Sequence, residues 1–276
     1  MPTTGQLALL ILAIVFFTAG GVLSLARAWW DRPRLQLISR QCLYFGLLFS
    51  VAVLIWHAAQ RASWLPLDDN FDSLVWLGIL LTLFVVYIQL TRPVAGIDFF
   101  LMPVVVLLLI GAAVFGRHKP KPYLPATWAW VHRASAFGGA VAFAIAGAVG
   151  AMYLITTARL RRRGTTPGML FGSLERLEHI TRISVTLGFA LLTIALITGL
   201  VEVLHSGGHT SLGVNWFLQP KVLLTVCVWV IYALVLHAPI NPSFRGRKAA
   251  MLSIIGFVLM IGTLIAVQFM PAGGGR

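Results

Sequence analysis

The chain has 276 residues, of which 59% are hydrophobic and only 11% carry charge. That composition excludes an ordinary soluble globular domain. The formal net charge of +13 would suit a nucleic-acid binder only if it formed one patch, and it does not.

Apolar runs of roughly 17–25 residues recur along the chain, each able to cross a bilayer core about 30 Å thick as a helix. They lack the alternation of barrel strands, and backbone groups in lipid must be satisfied within the chain. The expectation is an all-α polytopic membrane protein, with residues 1–276 forming one domain. Eight spans are predicted, near Leu7–Leu25, Cys42–Ala58, Ser73–Thr91, Phe99–Gly116, His132–Thr157, Ile183–Leu204, Val222–His237 and Ala249–Met270. The first lacks the basic n-region of a signal peptide. With eight spans, fourteen of the 21 Lys and Arg residues fall on one side, among them Arg27, Arg34, Arg40, Arg92, Arg161, Arg182 and Lys248. The positive-inside rule makes that side cytoplasmic and puts both termini outside. The basic excess then orients the chain, and no nucleic-acid partner is expected.

Taken in order, the connections carry few chemical signals. Asp68, Asp69 and Asp72, around the start of the third span, could attract a cation, but an ordinary solvated loop is the commoner arrangement. Cys42 and Cys227 lie inside predicted spans without a CxxC pattern, as small apolar side chains do. Gly138, Gly139, Ala146, Gly147 and Gly150 mark close backbone approach in span five, by a helix or by a flat ligand. Ser173 can cap a helix beginning at Leu174, with Glu175 near its positive end. The stripe of Leu174, Leu177 and Ile180 then reads either as a surface helix or as the inward extension of span six. No intramembrane chain of carboxylates, phosphate loop, HExxH or nucleophile elbow is present.

Histidine is the informative residue type. His57 ends span two, His132 opens span five behind Trp128 and Trp130, and His237 ends span seven. Imidazole is a common axial ligand of haem iron, although each of these residues alone also suits an interfacial role. His132 and His237 should lie near opposite faces, about 25 Å apart at 1.5 Å rise per residue, so one iron cannot take both. His57 and His132 fall on the same predicted side.

The ordered series from Leu174 to Met270 resembles the membrane haem-handling proteins of cytochrome c assembly, the CcsA/CcmC type and its HemX-like relatives. Trp229, Ile231, Tyr232, Ala233, Leu236 and His237 follow that family's pattern after its haem loop, and His132 stands where the family has an outward histidine before it. Pro66, Leu67, Asn70, Phe71, Asp72, Ser73 and Leu74 resemble its first outer loop. The tryptophan-rich loop keeps Gly213, Trp216, Pro220 and Lys221. It has Leu212 and Leu218 in place of tryptophans, Gln219 for an aspartate and Val222 for a glutamate. The final outward histidine of the family has no counterpart in the run Met270–Arg276.

The resemblance implies a haem chaperone or transfer component of cytochrome c biogenesis rather than a stand-alone enzyme, working in a bacterial cytoplasmic membrane. It implies b-type haem as cofactor, with His237 as ligand in the inner half of the membrane. His132 and Trp216 would face haem outside, with Lys221 near the propionates. The missing second ligand would have to come from His57, His205 or His209, of which His57, ending a rigid helix, is preferred. Partners would be other maturation components, apocytochrome c and the bilayer. Two alternatives stay open: a regulatory or scaffold protein of the same fold that transfers nothing, and a b-type electron-transfer subunit using His57 and His132.

Overall fold

A computed structural model describes residues 3–27, 33–61, 67, 69–91, 94–116, 126–161, 172–205, 219–237 and 246–269. These residues form eight α-helices: α1 Thr4–Arg27, α2 Pro33–Arg61, α3 Asn70–Thr91, α4 Ile97–Phe115, α5 Ala126–Arg161, α6 Leu174–His205, α7 Pro220–Leu236 and α8 Arg247–Phe269. Seven are long and apolar enough to cross a membrane. The remaining one, α7, has 17 residues, about 25 Å of helix, at the short end of the spanning range. The protein is therefore an all-helical, polytopic membrane protein, as the apolar runs predict.

The outward faces agree. Ile11, Val15 and Val22 on α1, Leu187 on α6 and Val258 on α8 are all exposed. Apolar side chains in such continuous stripes would drive aggregation in water and are satisfied by lipid.

The helices group into two compact units. The first comprises Met1–Lys119 with Ile155–Arg176, the second Pro120–Leu154 with Leu177–Arg276. In the first, α1 packs on α2 and α4, while α3 packs on α4 and α2, which closes a four-helix bundle. Phe17 is fully buried against Gly46 of α2, where an added Cβ would lie 2.6 Å from its ring. Ser39 donates its hydroxyl to the carbonyl of Gly20 at 2.9 Å.

In the second unit the small residues of α5 meet neighbouring helices. Gly139 faces the carbonyl of Gly188 on α6, and Gly147 and Gly150 face Phe257 and Ala250 on α8. Of the two readings of this stripe, helix packing is the one observed. Tyr232 of α7 stacks on Phe143 of α5 with centroids 3.6 Å apart, and its hydroxyl donates to the carbonyl of Ser253 on α8 at 3.1 Å. Trp229 donates its indole N–H to Thr193 Oγ1 of α6 at 3.0 Å. The tryptophan and tyrosine that carried the family pattern thus tie α7 to its three neighbours. Helix α6 runs unbroken from Leu174, with the N–H of Arg176 reaching Ser173 Oγ at 3.4 Å, so the Leu174–Ile180 stripe extends span six.

Candidate functional site

Three of the seven histidines were singled out as ligands, and their surroundings differ in kind. His132 sits in the second turn of α5, half-buried against α6. Its Nδ1 lies 2.9 Å from the carbonyl oxygen of Ala195 and 3.1 Å from Thr198 Oγ1. A carbonyl oxygen can only accept, so the ring proton belongs on Nδ1 and the lone pair on Nε2. Thr198 spends its own proton on α6 carbonyls, at 2.7 Å to Ile194 and 3.0 Å to Ala195, which leaves its oxygen to accept from the imidazole. Trp128, one turn earlier, donates to the carbonyl of Thr198 at 3.2 Å and fixes the start of α5 on the same stretch of α6.

His237 is exposed as the C-cap of α7. Its Nδ1 donates to the carbonyl of Ala233 at 2.7 Å, which again leaves the lone pair on Nε2. His132 lies at the end of the second unit where α6 finishes and α7 begins, and His237 at the far end of α7. Lys221, in the first turn of α7, belongs to the His132 end. Trp216, His118 and His209 lie outside the described residues, as does the side chain of His205. His179 is exposed on α6.

His57 is a different case. It lies near the end of α2 in the first unit, only 8% exposed. Its Nε2 is 2.9 Å from Asp69 Oδ2, and its ring packs on Phe71 with centroids 4.6 Å apart. Its Nδ1 faces Gln6 Nε2 at 3.4 Å. The Gln6 amide has a fixed orientation, because its oxygen accepts from the N–H of Thr3 and its nitrogen donates to Gln60 Oε1, both at 2.9 Å. A donor therefore faces Nδ1, and the ring proton sits on Nε2, directed at Asp69. Both nitrogens are in use.

Asp69 is the N-cap of α3. Its Oδ1 accepts from the N–H of Asp72 at 2.8 Å, the geometry that satisfies a first-turn donor. Arg61, one turn beyond His57, pairs with Asp72 Oδ2 and approaches Asp69 Oδ2 at 3.6 Å. Asp69 and Asp72 are each 1% exposed. Asp69 and Asp72, expected in a solvated loop, instead form a buried ion-pair network with His57 and Arg61 at the end of α2, while Asp68 lies outside the described residues. His57, Asp69 and Asp72 bring donor atoms within 4.8 Å of one another, a spacing a metal ion could use. Two features oppose that use: the Nε2 proton directed at Asp69 and the guanidinium already on Asp72. The signal that could have exposed the network is the pair of spacings, His57 to Arg61 and Asp69 to Asp72, each placing two side chains on one helical face.

The family model described as cytochrome C assembly protein matches residues 43–273. The chain belongs to that family. Among curated proteins, a cytochrome c biogenesis protein CcsA from Mesostigma viride is 24% identical over 258 residues, covering 83% of each chain. The one from Porphyra purpurea is 22% identical over 306 aligned positions, 94% of each. That of Prochlorococcus marinus strain NATL2A is 34% identical, but over 103 residues, which is 37% of this chain and 31% of the relative. The chain thus spans under a third of that relative's length and most of the other two. No solved structure matches the chain.

Proposed function

We propose that this protein handles haem for cytochrome c biogenesis, receiving and holding it at the membrane for delivery to an apocytochrome. Family membership supports the general role. The observation that carries the haem assignment is the pair of histidines, His132 and His237, whose Nδ1–H groups are held by main-chain carbonyls. Metal-bound imidazoles have this arrangement: the carbonyl fixes the tautomer, aims the ring and raises the basicity of Nε2. Haem iron takes such a nitrogen as an axial ligand. His132 would hold haem at the outer end of the second unit, with Trp216 against the macrocycle and Lys221 toward the propionates. His237 would serve at the cytoplasmic end. His132 lies on α5 at the end of the unit where α7 begins, and His237 at the other end of α7, so they would serve two positions of the cargo and not one iron.

His57 is left out of this ligand set, since a nitrogen carrying a proton toward Asp69 has no lone pair to offer. The bis-histidine electron-transfer reading, which needs His57 beside His132, loses its support for the same reason. Two substituted tryptophans, at Leu212 and Leu218, favour one other reading: a member of the fold that binds haem weakly or regulates its partners. The Lys/Arg asymmetry supports both termini outside; a bacterial cytoplasmic membrane and other maturation components as neighbours are what the family resemblance implies. The deciding experiment is the visible spectrum of the protein purified from haem-replete cells. A Soret band reduced by His132→Gly and by His237→Ala, and unchanged by His118→Ala, supports haem handling through these two histidines. A colourless protein supports the regulatory reading.

A further inference from the structure

At one end of the first unit, where α2 begins, α3 ends and α4 begins, a cavity of about 140 Å³ is lined by Gln36, Arg40, Gln89, Val94, Ala95, Gly96 and Asp98. None of these residues belongs to the histidine sites or to the His57 network. Asp98 is 2% exposed, and its Oδ2 has a single long contact, 3.4 Å from Gln89 Nε2. Its Oδ1 accepts from the N–H of Phe99 at 3.2 Å. Arg40 turns its Nε to the hydroxyl of Tyr44 at 2.9 Å. Among the described residues no ion pair joins Arg40 to Asp98. One cavity therefore holds a cation and a buried anion that do not pair with each other, with two amide side chains in the same lining. A buried carboxylate without a charged partner is costly, and the arrangement is complementary to a small zwitterion.

Its position identifies the kind of zwitterion. The neighbours of the lining residues, Leu37 and Leu90, are 61% and 59% exposed. Exposed apolar side chains thus stand next in sequence to Gln36 and Gln89 of the lining, so polar cavity and lipid-facing surface meet at this end of α2 and α3. We propose that this cavity binds the headgroup of an aminophospholipid, with its primary ammonium on Asp98 and its phosphate on Arg40. Gln36 and Gln89 supply further hydrogen bonds, and the acyl chains lie along Leu37 and Leu90. A primary ammonium can donate to a carboxylate, whereas a trimethylated one cannot. The site should therefore separate phosphatidylethanolamine from phosphatidylcholine, which share the phosphate, and from phosphatidylglycerol, which lacks the cation.

The test is native mass spectrometry of the full chain released from nanodiscs of equimolar phosphatidylethanolamine, phosphatidylcholine and phosphatidylglycerol. The unmutated protein should retain phosphatidylethanolamine over phosphatidylcholine by about tenfold, the worth of one charge-assisted hydrogen bond. Asp98→Asn should erase that preference, and Arg40→Gln should lower retention of phosphatidylethanolamine and phosphatidylcholine together. Should Asp98→Asn fail to fold, Ala95→Trp serves instead: Ala95 is exposed and lines the cavity, and the larger side chain should block retention. Equal retention of the three lipids, or a preference that survives Ala95→Trp, overturns the proposal. Displacement of the lipid by equimolar soluble phosphoethanolamine would assign the cavity to a free metabolite and overturn the lipid part.

Discussion

The Nδ1 of His132 is held 2.9 Å from the main-chain carbonyl of Ala195, on a helix 63 positions further along the chain. This contact fixes which nitrogen of the imidazole can bind a metal, and Thr198 completes it at 3.1 Å. Outer-shell partners of ligating histidines typically contribute about 10–100-fold to metal affinity. Thr198→Val keeps the carbonyl contact and removes the hydroxyl. We expect haem affinity to fall about tenfold, at the low end of that range, with a shifted haem midpoint potential. Spectroscopic titration of the purified protein with haem checks both. An unchanged potential would mean that Thr198 only packs.

The buried network of His57, Arg61, Asp69 and Asp72 predicts a stability effect without a spectral one. Removing one partner of a buried ion pair typically costs about 3–5 kcal/mol. Arg61→Gln should lower thermal stability in detergent by an amount of that order. His57→Ala should destabilise less, as it leaves the Arg61–Asp72 pair in place, and should leave any haem spectrum unchanged. A lost Soret band in a His57→Ala protein that remains folded would restore His57 as a ligand.

Packing around the Tyr232–Phe143 stack predicts the response of two glycines. A Cβ at Gly188 would lie 2.5 Å from Phe143 Cε1, and one at Gly256 would lie 2.7 Å from Tyr232 Cε2. Overpacking of this kind typically costs about 1–3 kcal/mol. Gly188→Ala and Gly256→Ala should each lower the unfolding midpoint. At Gly111 the nearest contact is an ordinary 3.6 Å, so Gly111→Ala should be neutral or stabilising by about 0.5–1 kcal/mol. Thermal denaturation of the three variants gives the order.

Most of the fold is legible in the sequence, because span length and hydropathy are local properties. The expected span Ser73–Thr91 differs from α3 only by the turn that begins at Asn70. Helix α2 begins at Pro33, nine residues before the expected span at Cys42. Its first turns carry Arg34, Gln36 and Arg40, which a hydropathy reading assigns to a loop although the backbone stays helical. His132 and His237 are visible as candidates because a family pattern marks them. The partners that set their tautomers are not visible, since main-chain carbonyls have no sequence signature. The His57–Asp69 pair is hidden for another reason. Acidic residues at the start of a helix read as solvated unless the approach of Asp69 and Asp72 to the end of α2 is known.

The proposed sidedness rests on the distribution of Lys and Arg and is tested by reporter fusions. A reporter after Arg163 should be cytoplasmic and one after Gly208 external. Both on one side would remove the eight-span topology, and with it the division into outer and inner histidines.

The central claim is that His132 offers Nε2 to haem iron at the outer end of the second unit. The most direct measurement is the oxidised and reduced absorption spectrum of His132→Gly, before and after adding imidazole. The account predicts a diminished Soret band that imidazole partly restores, because the small ligand replaces the missing side chain in a cavity of its own shape. A spectrum in His132→Gly identical to that of the unmutated protein, and indifferent to imidazole, would contradict it.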